Sequence, residues 1–159
     1  MRSLRIVGLV LATLFFAGVA FSGSEDASAA CPVTKPNGNI PPGPSPSPDL
    51  YGNGALWTGL WPDGTIEFRP GGPGFVLQDG SLKMKFPWWR KARAKLTITG
   101  RRLDAPAPPL QADIGASTDF QFVPTYIIFP TEGCWEVTGK AGKASLTLVT
   151  RVVKIGKGP

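Results

Sequence analysis

Proline and glycine decide most of what this chain can become. Of its 159 residues, 17 are proline and 20 are glycine, and no window between them sustains a helical hydrophobic period over ten residues. Proline fixes φ and lacks an N–H donor, and glycine weakens the interior of any regular element. What survives between these breaks is a series of short apolar runs bounded by turn signals, the mark of an all-β chain. About seven to nine strands at this spacing predict an immunoglobulin-like antiparallel β-sandwich. An antiparallel barrel is the alternative.

The runs also predict a core. Leu82-Lys83-Met84-Lys85-Phe86 alternates cleanly, which puts Leu82, Met84 and Phe86 on the inner face and the lysines outside. Leu96 and Ile98 alternate in the same way. The turn Pro130-Thr131-Glu132-Gly133 delivers Cys134, Trp135, Glu136 and Val137 into what reads as a central strand. With Trp135 and Val137 inward, Cys134 faces the other side. Trp57 and Trp61, four apart, are assigned to the core, and Leu56, Thr58 and Leu60 to the poorer face. Pro62-Asp63-Gly64 reads as a hairpin turn before Thr65–Phe68. The last strand, Ala144 to Ile155, does not fit one alternation, because Leu146 and Leu148 oppose Val149, Val153 and Ile155. That predicts a bulge near Val149–Arg151.

Residues 1–30 read as a secretory signal: Arg2 and Arg5, an apolar stretch from Ile6 to Phe21, then a small-residue end at Ala27-Ser28-Ala29-Ala30. The apolar run falls short of the ~20 residues of a spanning helix, and no later run reaches that length, so no transmembrane segment is expected after cleavage. Residues 31–49 hold seven prolines and form an extended, polyproline-like arm, either a linker or a strap. Residues 50–159 form the single β domain. Two cysteines remain in an oxidising compartment, so a Cys31–Cys134 disulfide is expected. The rival is a lipidated Cys31, although Ser28-Ala29-Ala30 lacks the usual Leu before such a cysteine. The expected place of action is extracellular or at the cell surface, with the periplasm an alternative.

Charge concentrates where the chain turns from one expected strand to the next. The formal net charge is +6, and eight of the fifteen Lys and Arg beyond residue 30 lie between Lys83 and Arg102. This tract holds Trp88 and Trp89, and neighbours on a regular strand face opposite sides, so one indole is expected at the surface among Arg90, Lys91, Arg93, Arg101 and Arg102. An exposed Trp ringed by cations suits an anionic partner such as a cell-wall polymer or a lipid surface. Nucleic acid is the weakest partner, because export removes the usual target.

Three segments, Phe86-Pro87-Trp88-Trp89-Arg90, Leu96 to Asp104 and Glu132-Gly133-Cys134-Trp135-Glu136-Val137-Thr138-Gly139, resemble a group of uncharacterised small exported bacterial proteins. Cys31-Pro32-Val33-Thr34 and Gly72-Pro73-Gly74-Phe75-Val76-Leu77 extend the resemblance over nearly the whole chain beyond residue 30. It implies a bacterial source and matching cysteines, and no catalytic residue. The Gly-Cys-Trp-x-Val pattern is more loosely similar to the penultimate strand of bacterial immunoglobulin-like domains.

The chain has no histidine. That removes His-dependent nucleophile systems and the common zinc sites. No cofactor and no metal is expected. Among the acids, Asp63 and Asp79 sit in Asp-Gly turns, and no motif forces any two of Asp49, Glu67, Asp104, Asp113, Asp119, Glu132 and Glu136 to the ~5–10 Å that sugar hydrolysis needs. The expectation is a non-catalytic exported or envelope-associated binding or structural protein. The alternatives are a small exported enzyme acting on glycans and a lipid-anchored surface protein.

Overall fold

The computed structural model describes residues 30–43, 49–116 and 121–159. Residues 1–29 of the expected export signal, Pro44, Pro46 and Pro48 of the arm, and Asp119 with Phe120 lie outside the described residues.

The chain is all-β. Its strands are β1 (Leu50–Gly52), β2 (Leu56–Gly59), β3 (Thr65–Phe68), β4 (Phe75–Val76), β5 (Leu82–Lys85), β6 (Trp88–Arg90), β7 (Leu96–Arg102), β8 (Gln111–Ile114), β9 (Phe122–Val123), β10 (Thr125–Phe129), β11 (Gly133–Ala141) and β12 (Ala144–Lys154). The twelve strands among the described residues exceed the expected seven to nine, because several runs are only two or three residues long. They form three four-stranded sheets, ordered β3-β12-β11-β7, β4-β5-β10-β8 and β1-β2-β6-β9. All pairings are antiparallel except β3 with β12.

Two of the sheets are halves of one bent layer. β5 pairs with β10 and β6 with β9 in a register that carries straight across the break, from Lys85↔Tyr126 to Trp88↔Val123. That register sets Pro87 opposite Pro124. Neither residue has an N–H for the ladder, so the pairing lapses there and the layer divides. One bridge persists at the seam, where the Phe86 amide donates to the Thr125 carbonyl at 2.8 Å.

The opposing layer is built on β11 and β12, a hairpin in unbroken register from Gly133↔Val152 to Ala141↔Ala144. Gly142 (φ 60) takes the first central position of its two-residue turn, where a primed hairpin turn requires positive φ. β12 alternates strictly. Leu146, Leu148, Thr150 and Val152 are buried on one face, and Val149 and Val153 are half-buried on the other. The expected bulge near Val149 is absent. The second face carries valines because the proline arm covers it: the Thr34 amide donates to the Val149 carbonyl at 2.9 Å, and the Val149 amide donates to Thr34 Oγ1 at 2.8 Å.

The core lies between the layers. Leu82, Met84, Phe86, Leu96, Ile98, Trp135 and Val137 all belong to it. Trp88 packs against Gly139, where a Cβ would come within 2.4 Å of the indole. Phe129 meets Trp135 edge-on at 5.7 Å, and Trp135 Nε1 donates to the Thr131 carbonyl at 3.0 Å. Trp88 Nε1 has no hydrogen-bond partner among the described residues.

Pro62-Asp63-Gly64 is a single 3-10 turn, not a hairpin. β2 pairs with β1 and β6, while β3 pairs with β12, so the turn carries the chain from one layer to the other. The Trp57 assignment changes with it. Leu56 and Thr58, fully buried, face the main core, and Trp57 faces away into a satellite cluster with Leu50 and Trp89. Trp61 lies beyond the end of β2, half-buried, and packs against the main core.

Candidate interaction surface

The expected surface begins at Trp88 and Trp89, and both are buried, at 0% and 8% exposure. Alternation does send them to opposite faces of β6, but that sheet is covered on both sides. Trp88 enters the main core. Trp89 packs on Phe122 at 5.4 Å and shares the satellite cluster with Trp57, opposite it in register. The arm roofs this second cluster: Asn39 Oδ1 accepts from Trp57 Nε1 at 2.8 Å, and Asn37 exchanges two hydrogen bonds with the backbone of Gly52. No tryptophan of the tract is left for a ligand.

The cations of the tract also separate. Lys83 and Lys85 lie on β5, where Lys83 pairs with Asp113 at 2.6 Å and sits 4.9 Å over the Tyr126 ring. Arg101 and Arg102 lie at the far end of β7 from Lys95. Arg101 binds Glu136 at 2.9 Å, and Arg102 binds Asp104 at 2.7 Å. The Arg102 side-chain hydrogen bond holds the Asp104 carboxyl below its ordinary value, and the Cys134 backbone amide adds to the effect. These two arginines therefore leave the candidate surface. Their charges are spent on carboxylates beside the disulfide.

What remains is one end of the molecule. The loop Lys91–Lys95 follows β6, and it is pinned by the Lys91 amide to the Ala55 carbonyl at 2.9 Å. Antiparallel pairing of β7 with β11 sets Ala141 opposite Leu96 and Lys140 opposite Thr97. The tip of the β11–β12 hairpin therefore comes against this loop, and a Cβ on Gly142 would touch that of Ala94 at 3.4 Å. Lys95 comes immediately before β7, two residues from the Thr97 that Lys140 opposes. Lys91, Lys95, Lys140 and Lys143 are all exposed, and none makes an ion pair among the described residues. Arg93 is exposed beside them, and Arg90 donates to the Ala94 carbonyl; both arginines have partners in the fold. Lys140 and Lys143 were not part of the expected surface. They lie some fifty residues further along the chain, and their only signal is the Gly142-Lys143 turn between two alternating runs.

The disulfide is at the opposite end. Cys31 and Cys134 are joined with Cα atoms 5.4 Å apart. Cys134 is buried on the face of β11 away from Trp135, under the arm. A lipid thioether on Cys31 cannot coexist with this bond. Beside it, Arg102, Asp104, Glu132 and Arg151 rim a hollow of about 360 Å³. Gly133 (φ 140) adopts a backbone conformation that side chains rarely take, and a Cβ there would come 2.3 Å from Arg102 Nε and displace the Arg102–Asp104 pair. Among the described residues there is no group of three or more Cys, Asp or Glu able to hold a metal ion, and no helix long and apolar enough to cross a membrane.

Fold and surface together define a disulfide-clasped all-β protein with one basic end. No protein-family model and no curated protein matches the chain.

Proposed function

We propose that this chain is a non-catalytic exported protein that binds an anionic polymer of the cell envelope through its basic end. The observation that carries the reading is the meeting of Lys91, Lys95, Lys140 and Lys143 at one end of the fold, with no carboxylate paired to any of them among the described residues. Like charges held together on a rigid hairpin and loop raise the local potential and attract a polyanion. Beside the lysines, Ala92, Ala94, Ala141 and Gly142 are small, and Trp88 and Trp89 are buried, so neither indole is free to enter a lipid headgroup layer, which favours a polymer over a bilayer.

Export is the second part of the proposal. It rests on the signal-like residues 1–30, and a disulfide is compatible with an oxidising compartment. The non-catalytic part rests on the lack of histidine and on both cysteines being bonded.

The test is retention on purified anionic wall polymer and, in parallel, on vesicles of anionic lipid. Replacing Lys91, Lys95, Lys140 and Lys143 together by Ala is expected to abolish retention on the polymer. Salt near 1 M, where the screening length is about 3 Å, should do the same to the wild type. Retention that survives both treatments refutes the basic end as the contact. Retention on vesicles alone replaces the polymer with a lipid surface.

A further inference from the structure

Four of the five tryptophans are buried, and Trp61, packed against the main core, is part-exposed and lines the surface. It stands between two grooves. One, of about 470 Å³, has Trp61, Pro62 and Pro73 as its apolar walls and Asp63, Glu67 and Arg69 as its polar groups. The other, of about 440 Å³, shares Trp61, Pro62 and Asp63 and runs on along the arm past Thr34 and Lys35. Asp63 is the common rim. It is also the only non-glycine residue with positive φ (51°) among the described residues. Asparagine and aspartate tolerate that region better than most, but glycine would occupy it without cost.

We propose that these two grooves form a binding site for a neutral polysaccharide, with Trp61 as the stacking platform and Asp63, Glu67 and Arg69 as partners for sugar hydroxyls. An aromatic ring offers a flat apolar face with a polar edge, and it suits the C–H face of a pyranose. Carboxylates and a guanidinium accept from and donate to vicinal hydroxyls in pairs. Each groove lies in the ~300–1,000 Å³ range of small-molecule sites, and their continuity on either side of Trp61 suits consecutive sugars of a chain better than a single unit. The charge disfavours the polyanion proposed for the other end: over the two grooves Asp49, Asp63 and Glu67 outnumber Lys35 and Arg69, and Arg69 already lies 3.6 Å from Glu67. The two sites are also apart. Thr65 pairs with Arg151, seven residues along β12 from the hairpin tip, or roughly 23 Å.

The experiment is titration calorimetry of the full chain with cellohexaose and chitohexaose at millimolar concentrations, using the wild type, Trp61→Ala, Asp63→Gly and the quadruple lysine variant. Binding of at least one oligosaccharide is expected, weakened at least about tenfold by Trp61→Ala and by Asp63→Gly, the scale of one lost aromatic or charged contact. Asp63→Gly should keep or raise the melting temperature, because glycine relaxes the turn. Its loss of binding therefore reports a ligand contact and not misfolding, even if Trp61→Ala proves unstable. The lysine variant should bind the sugar as wild type does, so this proposal and that of the basic end fail separately. No binding to either oligosaccharide, or full binding by Asp63→Gly, overturns the proposal. So does binding of a proline-rich peptide at Trp61 in place of sugar.

Discussion

Opening the clasp is the most informative perturbation of this fold. Cys31 and Cys134 are 103 residues apart in sequence, so the bond closes a large ring that leaves only most of β11, β12 and the C-terminal tail outside it. Loop-closure entropy for a ring of that size amounts to about 4.7 kcal/mol at 25 °C, removed from the unfolded state. Over a folded chain of this length, 1 kcal/mol corresponds to roughly 4 °C, and Cys31→Ala with Cys134→Ala should lower the melting temperature by roughly 15–20 °C. The arm should follow. Its hydrogen bonds to the domain include two at Val149, two at Gly52, one at Trp57 and one at Leu60. Each is worth about 0.5–1.5 kcal/mol net, against about 1–2 kcal/mol for every backbone residue ordered. Without the bond the arm lifts, and the roof over Trp57 and Trp89 goes with it. Circular dichroism melts with and without reductant give the first number, and a shift in tryptophan fluorescence at temperatures where the domain stays folded gives the second. A loss below about 4 °C with unchanged fluorescence would refute the argument, because the arm would then be held by its own contacts and the ring would constrain little.

Two further outcomes are expected. Gly139→Ala sets a methyl 2.4 Å from the fully buried Trp88 ring, an overpacking that should cost about 1–3 kcal/mol; an unchanged thermal midpoint would show that the two layers are not closed against each other there. Arg102 holds the Asp104 carboxyl below its ordinary value, so the carboxylate binds a proton less tightly in the folded state than in the unfolded one. The pair therefore stabilises the fold above the ordinary Asp value near ~3.9 and loses that contribution as pH falls through the depressed folded value; melts of Asp104→Asn between neutral and acid pH should show a shallower acid limb than the wild type, and parallel limbs would deny the pair any role.

Several features were legible because they depend on neighbours in sequence. Strand alternation puts Leu82, Met84 and Phe86 on one face and separates Cys134 from Trp135, whatever the rest of the chain does. The disulfide followed from an even cysteine count in a chain with an export-like leader. The tryptophans were misplaced by the same local rule. Alternation assigns Trp88 and Trp89 to opposite faces, but it is silent on how many faces are covered. Here an arm more than forty residues upstream supplies a second roof. The choice between Leu56 and Trp57 failed for a related reason: residue size ranks a face only when one core competes for it.

The candidate site shows the same division. The sequence by itself determined an all-β chain, its alternation and its proline breaks, because these arise from φ restriction, missing donors and a period of two. Only the tertiary structure decided which charges meet. Pairing of β7 with β11 brought Lys140 and Lys143 to the loop of Lys91 and Lys95, and carried Arg101 and Arg102 away to Glu136 and Asp104. Register is a long-range choice, set by which faces bury together, and a run of cations in sequence carries no information about it.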